Sequence, residues 1–357
     1  MLPVPPPTYA GTERVVAALA DELVSRGHAV TLFAAGDSEP EGELVATVER
    51  SLWASDYDGP PEAFIDLTVA RAWAEHERFD VIHSHVEAGG FLFARHCRTP
   101  VLTTLHGRLD MAGMPDLLAE FRDIPLVAIS ESQRRWFPAN DWVATIHHGL
   151  PLRAEPFRGE PGSYLAFVGR ITPEKGIADC IELARRAHRK LRIAAKVHDP
   201  HEQEHFEAVV QPAIDAGIVE FLGELGQPER DALYAGALAT LMLGAWPEPF
   251  GLVAIESMAT GTPVVGRRAG ALTETVEHGI DGFLVDDLEE ATFALSRVAD
   301  LDRRAIRRRA VARFSPERMA DEYETAYRAL LARRDGERRH RARQDDALQD
   351  GARAADG

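Results

Sequence analysis

Glu248 and Glu256 stand with seven residues between them in the stretch Glu248-Pro249-Phe250-Gly251-Leu252-Val253-Ala254-Ile255-Glu256, and Gly261-Thr262-Pro263-Val264-Val265 follows. The pattern reads as a carboxylate on a turn, a glycine opening a helix, a second carboxylate about one helical turn in, then a glycine stop and a buried strand. A helix start presents unbonded N–H groups and the positive end of a dipole to an anion, while flanking carboxylates accept hydrogen bonds from hydroxyls. Together these groups suit a sugar joined to a phosphate. Pro247 and Pro249 restrict the turn and favour an oriented site.

A second segment carries the complementary charge. Phe167-Val168-Gly169-Arg170-Ile171-Thr172-Pro173-Glu174-Lys175-Gly176 reads as a strand running into a loop with two cations. Arg170 can fork onto two phosphate oxygens, and Lys175 adds a point charge. A departing phosphate or diphosphate gains negative charge as its bond breaks, so fixed cations at that point stabilise the transition state.

These two segments, in this order, resemble the strand-to-loop segment and the Glu-x7-Glu region of retaining glycosyltransferases of family 4, which have the GT-B fold. The resemblance covers about Pro3 to Leu331. It implies two Rossmann-like domains facing across a cleft, with the last helix crossing back to the first domain. It also implies that Arg170 and Lys175, after Gly169, clamp the diphosphate. Glu248 would contact the transferred sugar and Glu256 the ribose hydroxyls, with main-chain N–H groups supplied by Phe250, Gly251, Leu252 and Val253. Gly11 resembles one of the two glycines that lie against the donor phosphate; the other is Ala10, whose methyl group is expected to crowd the ligand. His106, at the end of Val101 to Leu105, stands where the family often has a histidine near the reacting sugar. His83, His85 and His148 are placed at the cleft by topology alone, and a structural role is at least as well supported for them. No cofactor or metal is implied, and no residue is assigned as general base, because the departing phosphate can itself take the acceptor proton.

The elements that must position these groups alternate along the chain. In the first half, Thr12 to Arg26 puts Val15, Val16, Leu19, Leu23 and Val24 on one helical face before Gly27. His28 to Ala34, Phe79 to His85, Pro100 to Leu105 and Leu126 to Ile129 read as strands, Glu87 to Cys97 as a helix, and Ser130 as a helix cap. Residues 1–150 form the first, acceptor domain, and Leu150 to Gly162 is a linker rich in Pro, Glu, Arg and Gly. Residues 151–315 form the second, donor domain, with strands at Tyr164 to Val168, Leu191 to Val197, Val219 to Leu222, Ala239 to Leu243, Pro263 to Val265 and Gly282 to Val285. Helix 316–332 rejoins the first domain, and 333–357 reads as a disordered tail. Such alternation argues α/β architecture with parallel sheets covered on both faces.

The start departs from the family. Relatives carry an apolar strand ahead of the segment at Pro3 to Val16, and Met1-Leu2 leaves no room for it. The expectation is a first sheet lacking its central strand, through either a shortened start or a defective first domain.

With 357 residues and 45% hydrophobic content the chain can build two cores, since single cores stop growing at about 250 to 300 residues. A formal net charge of -17 argues against generic adhesion to nucleic acid or anionic lipid. The basic run Arg303 to Arg309 reads as a solvated helix face, with contact to acidic lipid headgroups as the alternative. Only Cys97 and Cys180 are present, which fits a reducing compartment, and no apolar run approaches a membrane span, so the expected location is cytoplasmic.

The resulting expectation is a retaining transferase that moves a hexose-type sugar from a nucleotide diphosphate sugar to a small-molecule, lipid or glycan acceptor. The alternatives are an inert nucleotide- or sugar-binding protein of the same fold and, remotely, a zinc peptidase. The latter rests on His201-Glu202-Gln203-Glu204-His205, which fits H-E-x-x-H but lacks an evident third ligand.

Overall fold

The structure, a computed structural model, describes residues 2–6, 10–52, 62–154, 156–197 and 199–355. Pro7, Thr8 and Tyr9 of the segment before Gly11, Glu155 of the linker, and Asp356 and Gly357 of the expected tail lie outside the described residues.

The opening helix, Gly11–Ser25, buries Val15, Val16, Leu19 and Leu23 along one stripe at helical spacing and stops at Gly27, whose φ of +90° suits glycine. Two strands follow, β1 (Thr31–Ala35) and β2 (Glu43–Val48), paired in parallel. A separate parallel sheet holds β3 (Ile82–Ser84), β4 (Val101–Leu105), β5 (Leu126–Ala128) and β6 (Trp142–Thr145) in chain order. Among the described residues no strand precedes the opening helix, and β1 and β3 are each laddered on one side only. That matches the expected interruption of the first sheet. Every residue of β4 is buried, as a strand covered on both faces requires.

The second domain is one six-stranded parallel sheet. It comprises β7 (Tyr164–Val168), β8 (Leu191–Ala194), β9 (Val219–Phe221), β10 (Ala237–Met242), β11 (Val264–Arg267) and β12 (Gly282–Val285). Their order in space is β12-β11-β10-β7-β8-β9. The chain winds outward from β7 through β8 and β9, then returns to the other side of β7 with β10. The β7/β10 junction is therefore the switch point, where loops leave the two strands in opposite directions and open a crevice at their carboxyl ends.

The C-terminal helix, Pro316–Ala355, crosses back to the first domain. Tyr323 Oη lies 2.9 Å from Thr104 Oγ1 and Tyr327 Oη 2.7 Å from His83 Nδ1, while Arg26 donates to Asp321 at 2.6 Å and to the Glu317 carbonyl at 2.7 Å. Outgoing and returning passages run side by side: Leu150 N donates to Phe314 O at 2.9 Å. A Cβ at Gly149 would sit 2.3 Å from Ser315 O, so only glycine permits this approach. One buried apolar cluster spans both domains and the returning helix, with Leu19, Leu102 and Val127 meeting Phe250, Ile255, Leu272, Phe314 and Tyr323. Each such side chain contributes about 1.5–3 kcal/mol on full burial.

Two expectations require correction. Helix continues through Ala355, across the segment from Arg333 expected to be disordered; Ala, Arg, Gln and Glu all rank high in helix propensity. The basic run at Arg303 is not a solvated face. Arg303 is 4% exposed and donates to the carbonyls of Arg158, Ala237 and Ala235 and to Thr262. Burial lowers its pKa to about 10. Arg307 donates to the carbonyls of Ala259 and Arg153, and Arg309 holds Asp281 and Glu277, so these guanidiniums tie loops together.

Candidate active site

The loop after β7 and the loop after β10 supply most of the expected site, one on each side of the switch point. After β7, residues Pro173–Lys175 form a 3-10 turn ended by Gly176 at φ +71°. A Cβ on Gly176 would lie 2.6 Å from Gly244 N and Leu243 O, so the turn rests directly on the chain leaving β10. That approach carries Lys175 to Glu248, and the ammonium and carboxylate form an ion pair with side chains 24% and 18% exposed. Lys175 Nζ also lies 4.3 Å from the centroid of the Trp246 ring. From the first domain, the Arg108 guanidinium stands 4.7 Å from the same ring.

Glu248 is fixed from behind. Gly270, at φ +57°, packs so closely that a Cβ would be 2.5 Å from Glu248 N, and Ala271 N donates to Glu248 O at 2.9 Å. Phe250 is 3% exposed and stacks edge-on against His148, with centroids 4.8 Å apart. Gly251, at φ +91°, is the N-cap of the helix Leu252–Ala259. Ala254 N closes the first turn onto Gly251 O at 3.0 Å, leaving the amides of Leu252 and Val253 without an intrahelical acceptor. Gly11 meets this helix start across the domain boundary, where a Cβ on it would lie 3.0 Å from Leu252 Cδ1. Ala10 has φ -148° and ψ 124°, an extended conformation open to any residue, so the position does not itself demand glycine.

Arg170, just past Gly169, is not brought to Lys175 and Glu248. Its Nε donates to Glu202 Oε1 at 2.7 Å and its Nη2 lies 3.4 Å from Asp199 Oδ2, with the side chain 63% exposed. The hydrogen bond to Glu202 raises its pKa, against a smaller opposing effect of burial. Glu202 is thereby committed to an arginine instead of standing beside a metal. His201 is exposed, and among the described residues no group of three or more His, Cys, Asp or Glu is arranged to hold a metal ion.

Glu256, 1% exposed, is reached from two sides. Arg14 of the opening helix forms an ion pair with Oε1, while Tyr234 Oη donates to Oε2 at 3.2 Å and Arg230 Nε stands 3.8 Å from it.

On the first-domain side the histidines gather at the carboxyl ends of β3 and β4. His85 Nδ1 is 2.9 Å from His106 Nε2, and the His106 ring stacks on His148 at 5.1 Å between centroids. His83 is taken up by Tyr327 and Thr104, which makes it a structural residue. Burial pushes His106 down to about 4 and, with the neighbouring His106 adding to it, His83 to about 3. His85 and His148 lie well below their ordinary value, again through burial first and adjacent imidazoles second. Beneath them Glu87, at φ +51°, accepts the amides of His106 and Gly107 on one oxygen at 2.9 and 3.0 Å. Burial raises its pKa to about 7.

The sequence reading missed Arg14, Tyr234, Trp246 and Glu87. Arg14 carried one usable signal, lying one helical turn after Gly11; Tyr234 and Glu256 belong to different helices and are joined by packing alone. Further cross-domain contacts set the cleft: Ser130 Oγ caps Gln133 N at 3.1 Å and donates to Pro249 O at 2.8 Å, and Glu274 accepts the amides of Glu131 and Ser132.

Two doubly wound domains closing over a cation–carboxylate pair define the GT-B class of glycosyltransferase. Family models agree: Glycosyltransferase Family 4 matches residues 9–166 and Glycosyl transferases group 1 matches residues 152–305. The chain is 34% identical over 275 residues to a D-inositol 3-phosphate glycosyltransferase of Frankia alni, covering 63% of this chain and 67% of that protein. Among solved structures it is similar to AviGT4, a glycosyltransferase involved in avilamycin A biosynthesis (TM-score 0.68, 24% identity, 93% of each chain). It also resembles Anabaena HepE in complex with UDP-glucose (TM-score 0.69, 18% identity, 90% of this chain and 97% of that one). This chain belongs to glycosyltransferase family 4. No helix among the described residues is long and apolar enough to cross a membrane.

Proposed function

We propose that this glycosyltransferase moves a hexose-type unit from a nucleotide diphosphate sugar to a hydroxyl acceptor in the cleft, with retention of anomeric configuration. The observation that carries the reading is the Lys175–Glu248 ion pair at the switch point of the second sheet, beside the open helix start at Gly251. Lys175 neutralises charge on the departing diphosphate, and Glu248 orients the sugar whose bond breaks. Arg170, mostly exposed and held at the rim by Glu202, turns inward to fork onto the same phosphates. Amides of Leu252 and Val253 meet the diphosphate at the helix tip. Glu256 takes the ribose hydroxyls, Gly11 leaves room for the phosphates from the opposite wall, and His106, kept neutral by burial, offers a ring nitrogen to a sugar hydroxyl.

The reading calls for no metal, since fixed side-chain cations supply the positive charge. HepE, crystallised with UDP-glucose, makes that compound the first donor to try. Both cysteines stand free, which supports action in a reducing compartment. The test is a thermal-shift series with UDP-, GDP- and ADP-sugars, followed by NMR of the anomeric centre in the product. One donor should raise the midpoint and its sugar should leave with the original configuration. An unmoved midpoint for all of them, with no donor turnover, would reject the assignment.

A further inference from the structure

Trp246 has no part in the chemistry proposed above, yet it lies against the residue that carries it. The inference rests on the reading of Lys175 as the cation that meets the diphosphate. The Lys175 ammonium stands 4.3 Å from the centroid of the Trp246 ring, and the Arg108 guanidinium of the opposite wall stands 4.7 Å from the same centroid. Asp110 accepts from Arg108 Nε and Nη2 at 2.8 and 2.6 Å, which balances that guanidinium's charge and fixes its plane. Cations of both domains thus meet on one ring.

We propose that Trp246 is a positioning residue, whose indole holds the Lys175 ammonium in place while Glu248 serves the sugar. A carboxylate that orients sugar hydroxyls shares its lone pairs between them and the ammonium, so its hold on Lys175 weakens. Lysine rides on a flexible four-carbon stem and would then wander. An aromatic face attracts a cation through its quadrupole and occupies no lone pair, so the N–H groups not given to Glu248 stay free to meet phosphate oxygens. Both partners also leave pinned backbone. Pro247 restricts the conformation of Trp246, and a Cβ on Gly270 would lie 2.6 Å from Pro247 C. A Cβ on Gly244, two residues before the ring, would lie 2.5 Å from Glu174 O and 3.3 Å from Lys175 Cα. The lysine stem and the ring therefore start from segments already pressed together, and their contact demands little further ordering.

Lysine-selective NMR tests the contact, because the chain contains only Lys175, Lys190 and Lys196, and Lys175→Arg assigns the signal. With isotope-labelled Cε, Lys175 should be displaced upfield of the other two by the indole ring current. Trp246→Leu should remove that displacement and lower the order parameter of the Lys175 side chain, with Trp246→Phe retaining most of both. In hydrolysis of UDP-, GDP- and ADP-glucose, Trp246→Leu should lower kcat by about tenfold with donor KM within about twofold, since charge on the diphosphate grows in the transition state. Trp246→Phe, which keeps an aromatic face, should lose no more than about threefold. An unaltered Lys175 order parameter in Trp246→Leu would overturn the proposal, as would equal losses of kcat in the Leu and Phe variants, the mark of packing alone. If the unsubstituted chain turns over none of the three donors, it is the transferase reading that fails, and the lysine spectrum still decides whether the ring holds the ammonium.

Discussion

In the second domain the ionisable groups of the site stand in oppositely charged pairs, Lys175 with Glu248 and Arg170 with Glu202, each partly open to solvent. In the first domain His83, His85 and His106, half-buried, and His148, buried, lie against one another, and desolvation keeps them neutral. The pairs keep charge available for an anionic ligand, because a cation released from a carboxylate at the rim has a new partner in a phosphate. The imidazoles keep charge out, and what they offer instead is shape and single hydrogen bonds. On the proposed function, one wall of the cleft serves the nucleotide diphosphate and the other an uncharged sugar.

If that contrast is right, the largest loss follows from the charged wall. Lys175→Ala should lower kcat by about 100- to 1000-fold in steady-state assays, by analogy with removing a donor from a developing anion. A loss confined to KM would instead show that Lys175 binds ground state and transition state alike.

The neutral wall makes its own mark on stability. Unfolded imidazoles take a proton near 6.5, whereas folded His106 does so near 4 and His83 near 3. Below 6.5 the unfolded chain therefore binds more protons, and the contribution of each histidine, complete above 6.5, is lost as pH falls. Glu87 acts with opposite sign: raised from 4.5 to about 7, its contribution is present below 4.5 and disappears as pH rises through 7. Each group supplies at most about 1.4 kcal/mol per pH unit. With four histidines against one glutamate, urea unfolding should show stability falling from pH 6.5 to pH 5.5. A flat profile would mean that these rings are protonated in the folded chain.

At the junction of the two walls, Gly149→Val should cost about 1–3 kcal/mol, because its Cβ would fall 2.3 Å from Ser315 O; a lowered melting midpoint checks it. The smallest effect belongs to Ala10→Gly. The position has an ordinary extended conformation, so donor KM should move less than about threefold, and stability should drop by under about 1 kcal/mol through chain entropy. A large gain in donor affinity would restore the view that the Ala10 methyl group crowds the ligand.

The charged wall was the more legible of the two. Gly251 and the two glutamates lie within one turn and one short helix, so local spacing singles them out, whereas Arg170, on the same loop as Lys175, is turned to Glu202 by a contact that spacing does not report. Arg14 and Glu256 are 242 positions apart and meet only because two domains close. The same limit applies to Trp246 under cations from both domains, and to Glu87, whose role rests on amides from a neighbouring loop. In the fold, apolar runs such as Val101–Leu105 announced themselves, whereas Glu43–Val48 and Trp142–Thr145 are short, half-exposed strands without a decisive period. The arginines at Arg303 to Arg309 misled the reading because composition does not distinguish a guanidinium facing water from one facing carbonyls.

The chain leaves the first domain and comes back to it through a single neck, with Leu150 hydrogen-bonded to Phe314 and Gly149 pressed on Ser315. Two strands of covalent tether at one point leave the halves a swing about that neck and little freedom to slide or drift apart. Whatever a substrate does at the far lip of the crevice is therefore expressed as an angle at this fulcrum.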